Sequence, residues 1–555
     1  MIVHRSNRAE VLVQRLAAVC AEPLPHPLAR EVVAVQSFGM ERWLSQQLAL
    51  HLGVWAHGHH PFPRRLVDEL LSAVLGGGVS DAFAPEALRW ALAAELPERA
   101  GDPGFEVVAR YLADDAGGLK QHQLARQLAW LFDQYVVYRP DVVLGWEDGA
   151  DPADWQASLW RALVQRLGPH HLARRLADFH RAWPGADHGV VPSRISMFGV
   201  STLPPLFLDL LSKVGEVVPV HLFVLTPTPH YTGDLMPRRQ QRRRRRLARQ
   251  QGIEVHLEEG NPLLSSLGRL GRELQQVLID LEVPSVDDFA QPPVAGSCTT
   301  LQLLQHDVFH VITRRPETGV RQLSFVSSAG DLPSPVALPE ADSIRLHRCH
   351  SPMREVEVLR DELRRRLDAD PTLQPRDIVV MAPNIEPYAP LIHAVFGVDP
   401  TSPGHIPYAV SDRPLRDDSS VIEAFLAVLE LLPGRLPAPA VIDELSRGPV
   451  ARRFDLDADD LDAIRRYVRE AGIRWGEDAA HRVAEGQPDH HDHTWRFGLD
   501  RMLAGWAAHP GPHELVDGVL PYAEVEGDAA DRVGKLVDYA EALFRGRRRV
   551  RRAFC

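Results

Sequence analysis

Cysteine is scarce in this chain of 555 residues, and long apolar runs are absent. The four cysteines, at Cys20, Cys298, Cys349 and Cys555, form no C-x-x-C pair and are too scattered for a disulfide framework or an iron-sulfur cluster. Nowhere do about 18 apolar residues follow one another, and no charged and apolar leader follows Met1. The sequence therefore predicts a cytoplasmic protein with no membrane partner.

Lysine supplies only three of the 62 basic residues, at Lys120, Lys213 and Lys535. A phosphate-binding loop of the form G-x-x-x-x-G-K-[ST] needs a lysine after glycine, and only Gly534 precedes one. Ala529 stands where the first glycine of that loop is required, so the loop is missing. No lysine has an acidic residue two positions before it, as a PD-(D/E)xK nuclease site requires. The sequence thus predicts a chain without catalytic residues of its own.

Two patterns imitate metal sites. Leu66–Glu69 (LVDE) resembles the acidic end of a Walker B strand, but the apolar residues around it recur at helical spacing. Histidines cluster at 57–60 and at 490–493, and imidazole is a good ligand for zinc or nickel. Both clusters lie in loop-like polar sequence without a distant set of partner ligands. No metal site is predicted from either pattern.

The segment from Val33 to Ala49 carries the most specific signal. The run EVVAV at 31–35 predicts a buried strand, Gly39 is expected to make the turn, and apolar residues then recur at helical spacing. Ligands of α/β proteins bind beyond the carboxyl ends of such strands. Glutamine can pair with adenine, arginine with guanine, and an aromatic ring can stack on an unpaired base. The residues presented at this turn are Gln36, Phe38 and Arg42.

Strand-like runs alternate with amphipathic helical stretches along the chain, which is typical of an α/β protein. Residues 84–180 are predicted to be mainly helical, and the sequence from 284 to 343 reads as a long connection with a domain boundary near residue 340. Strands are predicted at 195–200, 219–225, 343–348 and 377–382.

The net charge is −12, which predicts local basic channels on an acidic body rather than general attachment to DNA. The strongest basic segment lies at about 236–250 and has eight arginines within residues 238–249. Such a run is either a solvated helix face or a contact with phosphates or a partner subunit, and the sequence leaves both open. The candidate contacts with the DNA backbone are Arg242, Arg243, Arg244, Arg245 and Arg246.

The chain resembles the RecC family, the gamma subunits of exodeoxyribonuclease V, also called the RecBCD helicase-nuclease. The resemblance rests on Val3–Arg8, on the Val33–Ala49 segment and on six further blocks in the same order. We expect it to end near Leu543. These blocks are Leu131–Asp141, Phe198–Pro205, Asn261–Leu264, Cys349–Leu359, Ile406–Arg413 and His493–Leu499.

The resemblance implies an α/β fold with tandem degenerate helicase-like (RecA-like) domains of superfamily 1 that carry helical insertions. Residues 1–340 would form the first domain, with its insertion at about 84–180. Residues 341–555 would begin the second domain, with its own insertion, and would be truncated at the C-terminus. Family members run to about twice this length, so we expect the chain to be frayed from about Ala530 onward.

The family also implies a function. The chain would be a non-catalytic DNA-binding and scaffolding subunit that scans single-stranded DNA for the hotspot Chi during repair of double-strand breaks by homologous recombination. RecB-like and RecD-like subunits would complete a heterotrimer acting on single- and double-stranded DNA. Those partners would use ATP and Mg²⁺, and this chain would bind no cofactor.

The resemblance implies a Chi-reading pocket. Gln36 keeps the residue of the family, whereas Phe38, Arg42 and Asp68 differ from it in type, so the sequence that is read stays open. The full implied pocket comprises Gln36, Phe38, Arg42, Phe62, Asp68, Leu112, Asp114, Asp115 and Lys120. The alternative is that Trp43 and Phe62 belong to the core and that the acidic residues only keep a loop soluble.

Two rival functions follow from the same residues. An active superfamily 1 helicase would have a similar frame, but it would need the missing phosphate-binding loop. A stand-alone module that binds single-stranded DNA would need no partners. An ATPase assay distinguishes the first rival from the RecC-like function, and a pull-down with a RecB-like subunit distinguishes the second.

Overall fold

The chain forms two compact units, Met1–Arg348 and Cys349–Cys555. The computed structural model describes residues 1–77, 81–115, 117–252, 260–292, 299–315, 319–321, 343–397, 401–402, 404–411, 419–508 and 514–554. The boundary predicted near residue 340 lies outside the described residues. Among the described helices, none combines the length and the apolar character needed to cross a membrane.

A six-stranded parallel sheet is the centre of the first unit. The strands are β1 (Ile2–Ser6), β2 (Glu31–Ala34), β3 (Gly58–His59), β4 (Ile195–Phe198), β5 (Val220–Leu225) and β6 (Ser285–Asp287). Their order across the sheet is β3-β2-β4-β5-β1-β6. Every neighbouring pair in this sheet is parallel, so the carboxyl ends of all six strands lie along one edge. The prediction of an α/β fold is confirmed.

Helices cover both faces of the sheet. They are α1 (Ala9–Ala21), α2 (Phe38–Leu52), α3 (Pro63–Leu75) and α10 (Pro205–Val214). Alternate residues of a strand point to opposite faces. Accordingly, Val33 of β2 and Val35 directly after it share a core with residues of α1 and α2, whereas Val32 and Ala34 belong to a core that includes residues of α3 and α10. A buried ion pair joins the starts of β2 and β4, with Arg194 donating to Glu31 at 2.9 and 2.6 Å.

Six helices are inserted between α3 and β4. They are α4 (Pro85–Arg99), α5 (Glu106–Leu112), α6 (Leu119–Tyr138), α7 (Pro140–Glu147), α8 (Trp155–Leu167) and α9 (Leu172–Ala182). Their interior is aromatic, since Phe105, Phe132, Trp160 and Phe179 are fully buried. The helical pattern of residues 84–180 corresponds to these elements.

The remainder of the first unit follows β5. It contains α11 (Arg238–Gln251), α12 (Pro262–Leu267), α13 (Arg269–Asp280), α14 (Thr300–Phe309), and the antiparallel pair β7 (Thr313–Arg315) and β8 (Gly319–Arg321).

The regular secondary structure of the second unit is helical over its described residues, apart from one isolated bridge between Val516 and Val519. Its helices are α15 (Pro352–Ala369), α16 (Ala389–Phe396), α17 (Ser420–Leu431), α18 (Ala438–Leu445), α19 (Gly448–Arg453), α20 (Ala458–Glu470), α21 (Ala479–Ala484), α22 (Trp495–Ala508) and α23 (Asp528–Phe554).

The prediction of strands at 343–348 and 377–382 is wrong. Both segments are irregular, and no described residue pairs with either in a ladder. Their apolar side chains face solvent, with Leu346 95% and Met381 89% exposed. An apolar, β-branched run predicts a strand only if another strand supplies hydrogen bonds and a packing face.

The fraying predicted from Ala530 onward is also wrong. Residues 528–554 form the helix α23, and Val533, Leu536, Tyr539 and Phe544 of this helix are buried in the main core of the second unit. The arginine-rich end of the helix also contacts the rest of this unit, because Arg548 donates a hydrogen bond to Glu477 at 2.9 Å. The long apolar face of the helix, rather than its arginine-rich end, decides its packing.

Candidate nucleic-acid interface

The turn between β2 and α2 lies at the carboxyl edge of the sheet. Ser37 caps α2, since its hydroxyl accepts a hydrogen bond from the backbone N–H of Met40 at 3.1 Å. The helix begins at Phe38, so Gly39 lies in its first turn and has an ordinary backbone conformation. Our expectation that Gly39 makes the turn is therefore wrong. The serine cap ends the strand and starts the helix.

Two aromatic rings meet at this edge. Phe38 opens α2, and Phe62 follows β3 and precedes α3, and their ring centroids are 5.1 Å apart in an edge-to-face arrangement. Phe38 is 70% exposed and Phe62 is 37% exposed. Burial normally stabilises phenylalanine in a core, so an exposed ring pair of this kind marks a binding surface more often than an isolated exposed residue does. The interpretation of Phe62 as a core residue is not supported by its exposure.

Gln36 and Arg42 lie beside the aromatic pair in sequence and are both exposed. The side-chain amide of Gln36 donates to the backbone oxygen of Thr202, in the loop after β4, at 3.4 Å. This is a long and weak hydrogen bond, which a ligand could replace at small cost. We name the surface formed by Gln36, Phe38, Arg42 and Phe62 the aromatic shelf.

In the part of the chain that the structure describes, Asp68 forms no hydrogen bond or ion pair with a residue of the aromatic shelf. It lies in α3 and accepts from Arg175 of α9 at 3.2 Å, while Arg175 also donates to Ser72. Burial raises the pKa of Asp68, and Arg175 opposes that shift. Asp68 thus joins α3 to α9 through an ion pair. Its neighbour Glu69 bonds His59 and Arg65, and the helical interpretation of Leu66–Glu69 is confirmed.

The remaining predicted pocket residues form a separate group around the start of α6. Lys120 donates to Asp114 at 2.5 Å and lies 5.5 Å from the ring of Tyr111. Asp115 accepts from the backbone N–H of Gln121 at 2.7 Å, and Leu112 ends α5. Within the described residues, no hydrogen bond, ion pair or ring contact joins this group to the aromatic shelf or to Asp68. The direct contacts of the predicted pocket residues thus form three sets, and the pocket as a whole stays a prediction.

The turn after β1 is held by the loop that follows β6. The Asn7 side chain donates to the backbone oxygen of Ala290 at 2.8 Å and accepts from its N–H at 3.0 Å. Arg5 forms a two-point ion pair with Asp287, and Arg15 bonds Asp288. The loop after β6 therefore lies against the turn after β1. Sequence reasoning missed this pairing, because residues 283 positions apart give no local signal.

The basic segment folds as α11, an amphipathic helix that is anchored at two points. Gln241 and Ala248 are buried, whereas the five arginines from Arg242 to Arg246 and also Arg249 are exposed. Arg242, Arg245, Arg246 and Arg249 surround a shallow depression on one side of the helix. Spacing of three and four residues places these guanidinium groups side by side, as a phosphate backbone requires.

The histidine clusters have partners within the protein. His59 bonds Glu69 at 2.9 Å, and His60 bonds the backbone oxygen of Val33 at 3.1 Å. His493 bonds the backbone oxygen of Gly472 at 2.8 Å. Over the described ranges, no group of three or more His, Cys, Asp or Glu side chains is arranged to hold a metal ion.

Comparison with known proteins yields two family matches. Residues 1–311 match the model described as RecC, N-terminal domain, and residues 418–553 match the RecBCD enzyme subunit RecC fourth domain. The expectation that the resemblance ends near Leu543 is wrong, since the second match continues to residue 553.

Individual relatives agree with the family matches. The RecBCD enzyme subunit RecC of Escherichia coli K12 is 35% identical over 571 residues, which cover 96% of this chain and 50% of the relative. The protein of the same name from Mycolicibacterium smegmatis is 34% identical, over 98% of this chain and 49% of the relative. The one from Mycobacterium tuberculosis H37Rv is also 34% identical, with the same coverage. The chain spans about half the length of these curated relatives.

Proposed function

The chain belongs to the RecC family, and on that premise we propose that it is a non-catalytic, DNA-binding and scaffolding subunit of a RecBCD-type exodeoxyribonuclease V. In this function it scans single-stranded DNA for Chi during the repair of double-strand breaks. RecB-like and RecD-like subunits are its proposed partners, and they use ATP and Mg²⁺.

The aromatic shelf is the observation that carries the proposal. A protein that binds an unpaired strand needs exposed rings for stacking and cations for phosphates. Phe38 and Phe62 supply two rings in contact, and Arg42 lies one turn further along α2. Gln36 adds a side-chain amide that can pair with a base edge. Parallel topology brings these residues together, since β2 and β3 are neighbours and end at the same edge.

The turn after β1 supports the absence of ATP hydrolysis in this chain. Asn7 is engaged with Ala290, and no lysine follows β1 to neutralise the β- and γ-phosphates. We expect no DNA-stimulated hydrolysis of ATP by the isolated chain. Turnover above the blank that is lost in Arg8→Ala would refute this expectation.

A second helicase-like domain is part of the proposal. The irregular segments at 344–349 and 378–382 flank α15, and α16 packs on α15 through Val356, Val395 and Phe396. Strand-like sequence joined by packed helices is the arrangement of one side of an α/β layer. Hydrogen exchange tests this part, because amides of 345–348 and 378–381 should exchange fast here and slowly in a full-length family member. Fast exchange in both would refute it.

The helix α11 is the proposed contact with the DNA backbone. Its arginines are exposed and clustered, and they carry no base-specific information. Binding through this surface should therefore be independent of sequence and sensitive to salt.

The test of Chi reading requires a complete complex with RecB-like and RecD-like subunits. Gln36→Ala and Arg42→Ala should each lose about 1–3 kcal/mol of discrimination for the hotspot, because each removes a side chain that pairs with a base edge. Unwinding and ATP use should stay near normal, since the motors lie in other subunits. Hotspot-dependent cutting is measured against unwinding rate for each variant. An equal fall of both quantities would mean that the residue is structural.

A further inference from the structure

The helix α6 carries aromatic and polar side chains at intervals of four residues, namely His122, Arg126, Trp130, Gln134 and Tyr138. Each lies about one turn beyond the previous one, and the series winds about 160° around the helix from its first to its last member. His122 and Gln134 are half-buried. Trp130 is 62% and Tyr138 57% exposed, and Arg126 is exposed as well. Trp90 of α4 extends the row, because its ring lies 5.2 Å from that of His122 and is 58% exposed. We call these six residues the α6 row.

The charge of the α6 row suits a polyanion. Asp133 is the only acidic residue of α6, and its carboxylate is bound to Arg64 at 2.6 Å with 12% of the side chain exposed. No carboxylate among the described residues forms an ion pair with Arg126. Arg89 adds a guanidinium 4.9 Å from the Trp90 ring. The row thus combines large exposed rings with positive charge.

The α6 row lies in the same unit as the aromatic shelf, and one ion pair connects their elements. Arg64 lies in the first turn of α3, two residues after Phe62, and it binds Asp133 in the second half of α6. From His122 to Tyr138 the helix rises about 24 Å, at 1.5 Å for each residue. That length can accommodate several nucleotides.

From these observations we infer that the α6 row is a second binding site for single-stranded nucleic acid, on which bases stack as the strand leaves or approaches the aromatic shelf. The inference rests on the proposed function. Bases stack on Trp130, Tyr138 and Trp90, and Arg126 contacts phosphate. Stacking on aromatic side chains is tolerant of sequence, so this site would hold the strand without reading it.

The experiment measures binding of the 555-residue chain to a fluorescent oligothymidylate of about 20 nucleotides, a length that exceeds one stacking site. Trp130→Ala should weaken binding roughly 5- to 150-fold, and Trp130→Phe should restore most of the affinity because it keeps a ring. Arg126→Ala should lower the slope of log K against log salt by about 0.7. The matched control is Trp506→Ala, which removes a tryptophan of similar exposure, 53%, from α22 in the other unit.

Photocrosslinking gives an independent readout. Irradiation of the bound oligothymidylate should give adducts within the peptide 122–138, and Trp130→Ala should reduce them. Trp130→Ala with unchanged affinity and unchanged adducts would overturn the inference. Unchanged affinity together with weaker capture of a RecB-like subunit would overturn it as well, and would identify the row as a protein interface.

Failure of the proposed function has a different signature. In that case the unmodified chain, the Trp506→Ala control and the shelf variants would all fail to bind the oligonucleotide. If only the present inference is wrong, Phe38→Ala weakens binding and Trp130→Ala does not.

Discussion

Removal of the Phe38 ring tests the aromatic shelf directly. Because 70% of Phe38 is exposed, Phe38→Ala opens no cavity in the core. The edge-to-face contact with Phe62 contributes about 0.5–1.5 kcal/mol to the free energy of unfolding beyond the burial of area. Stacking of one base on an aromatic ring is worth about 1–3 kcal/mol, which corresponds to roughly 5- to 150-fold in affinity. At the centres of these ranges, the decrease in binding free energy, about 2 kcal/mol, exceeds the decrease in stability, about 1 kcal/mol.

The assay combines fluorescence anisotropy with a labelled single strand and urea denaturation of the same variants. Phe38→Tyr keeps the ring and should bind like the unmodified chain. Phe223→Ala serves as the opposite control, since this fully buried ring should cost about 3–5 kcal/mol of stability. The reasoning is refuted if Phe38→Ala binds single-stranded DNA within about twofold of the unmodified chain.

Arginine and histidine variants test three other features of the chain. Arg242→Ala and Arg246→Ala in α11 should each weaken binding to any duplex and lower the salt slope by about 0.9 for each phosphate that is no longer neutralised; an unchanged slope in titrations at several salt concentrations would assign the helix to solvent or a protein partner. Arg194→Ala should reduce the free energy of unfolding by about 3–5 kcal/mol because it leaves Glu31 charged, buried and unpaired; a decrease below about 1 kcal/mol in urea denaturation would contradict this. Burial lowers the pKa of His4 to about 4, with His221 as the next cause, so the unfolded chain binds a proton first and stability should fall as pH drops from about 6.5 to about 4; His4→Gln should flatten this part of the pH profile, and an unchanged profile would refute the assignment.

The proposed roles of the aromatic shelf, the α6 row and α11 in DNA binding differ. Rings hold bases regardless of sequence, exposed arginines hold phosphates, and only a residue such as Gln36 can discriminate between base edges. For this reason, variants of the three surfaces should change different measured quantities. Shelf variants alter hotspot response, row variants alter the affinity for single strands, and α11 variants alter the salt dependence.

Local sequence determined the elements whose signals are periodic. The run at 31–35 predicts β2, and the strands predicted at 195–200 and 219–225 differ from β4 and β5 by one or two residues at their ends. These predictions are close to the structure because each segment buries the apolar side chains of its own pattern. The prediction that Gly39 makes the turn is wrong because the Ser37 side chain caps the helix instead.

Tertiary structure decided everything that depends on pairing between distant residues. The segments at 343–348 and 377–382 have strand-like sequence, but a strand exists only where a partner supplies its ladder. Likewise, the resemblance implies one pocket from Gln36 to Lys120, and within the fold the contacts of these residues form three sets, which are the Phe38–Phe62 ring pair, the Asp68–Arg175 ion pair and the Asp114–Lys120 ion pair. The pocket itself stays a prediction. The strand order places Phe62 beside Phe38 and Ala290 beside Asn7, because parallel neighbours bring their carboxyl ends to one edge whatever their distance in sequence.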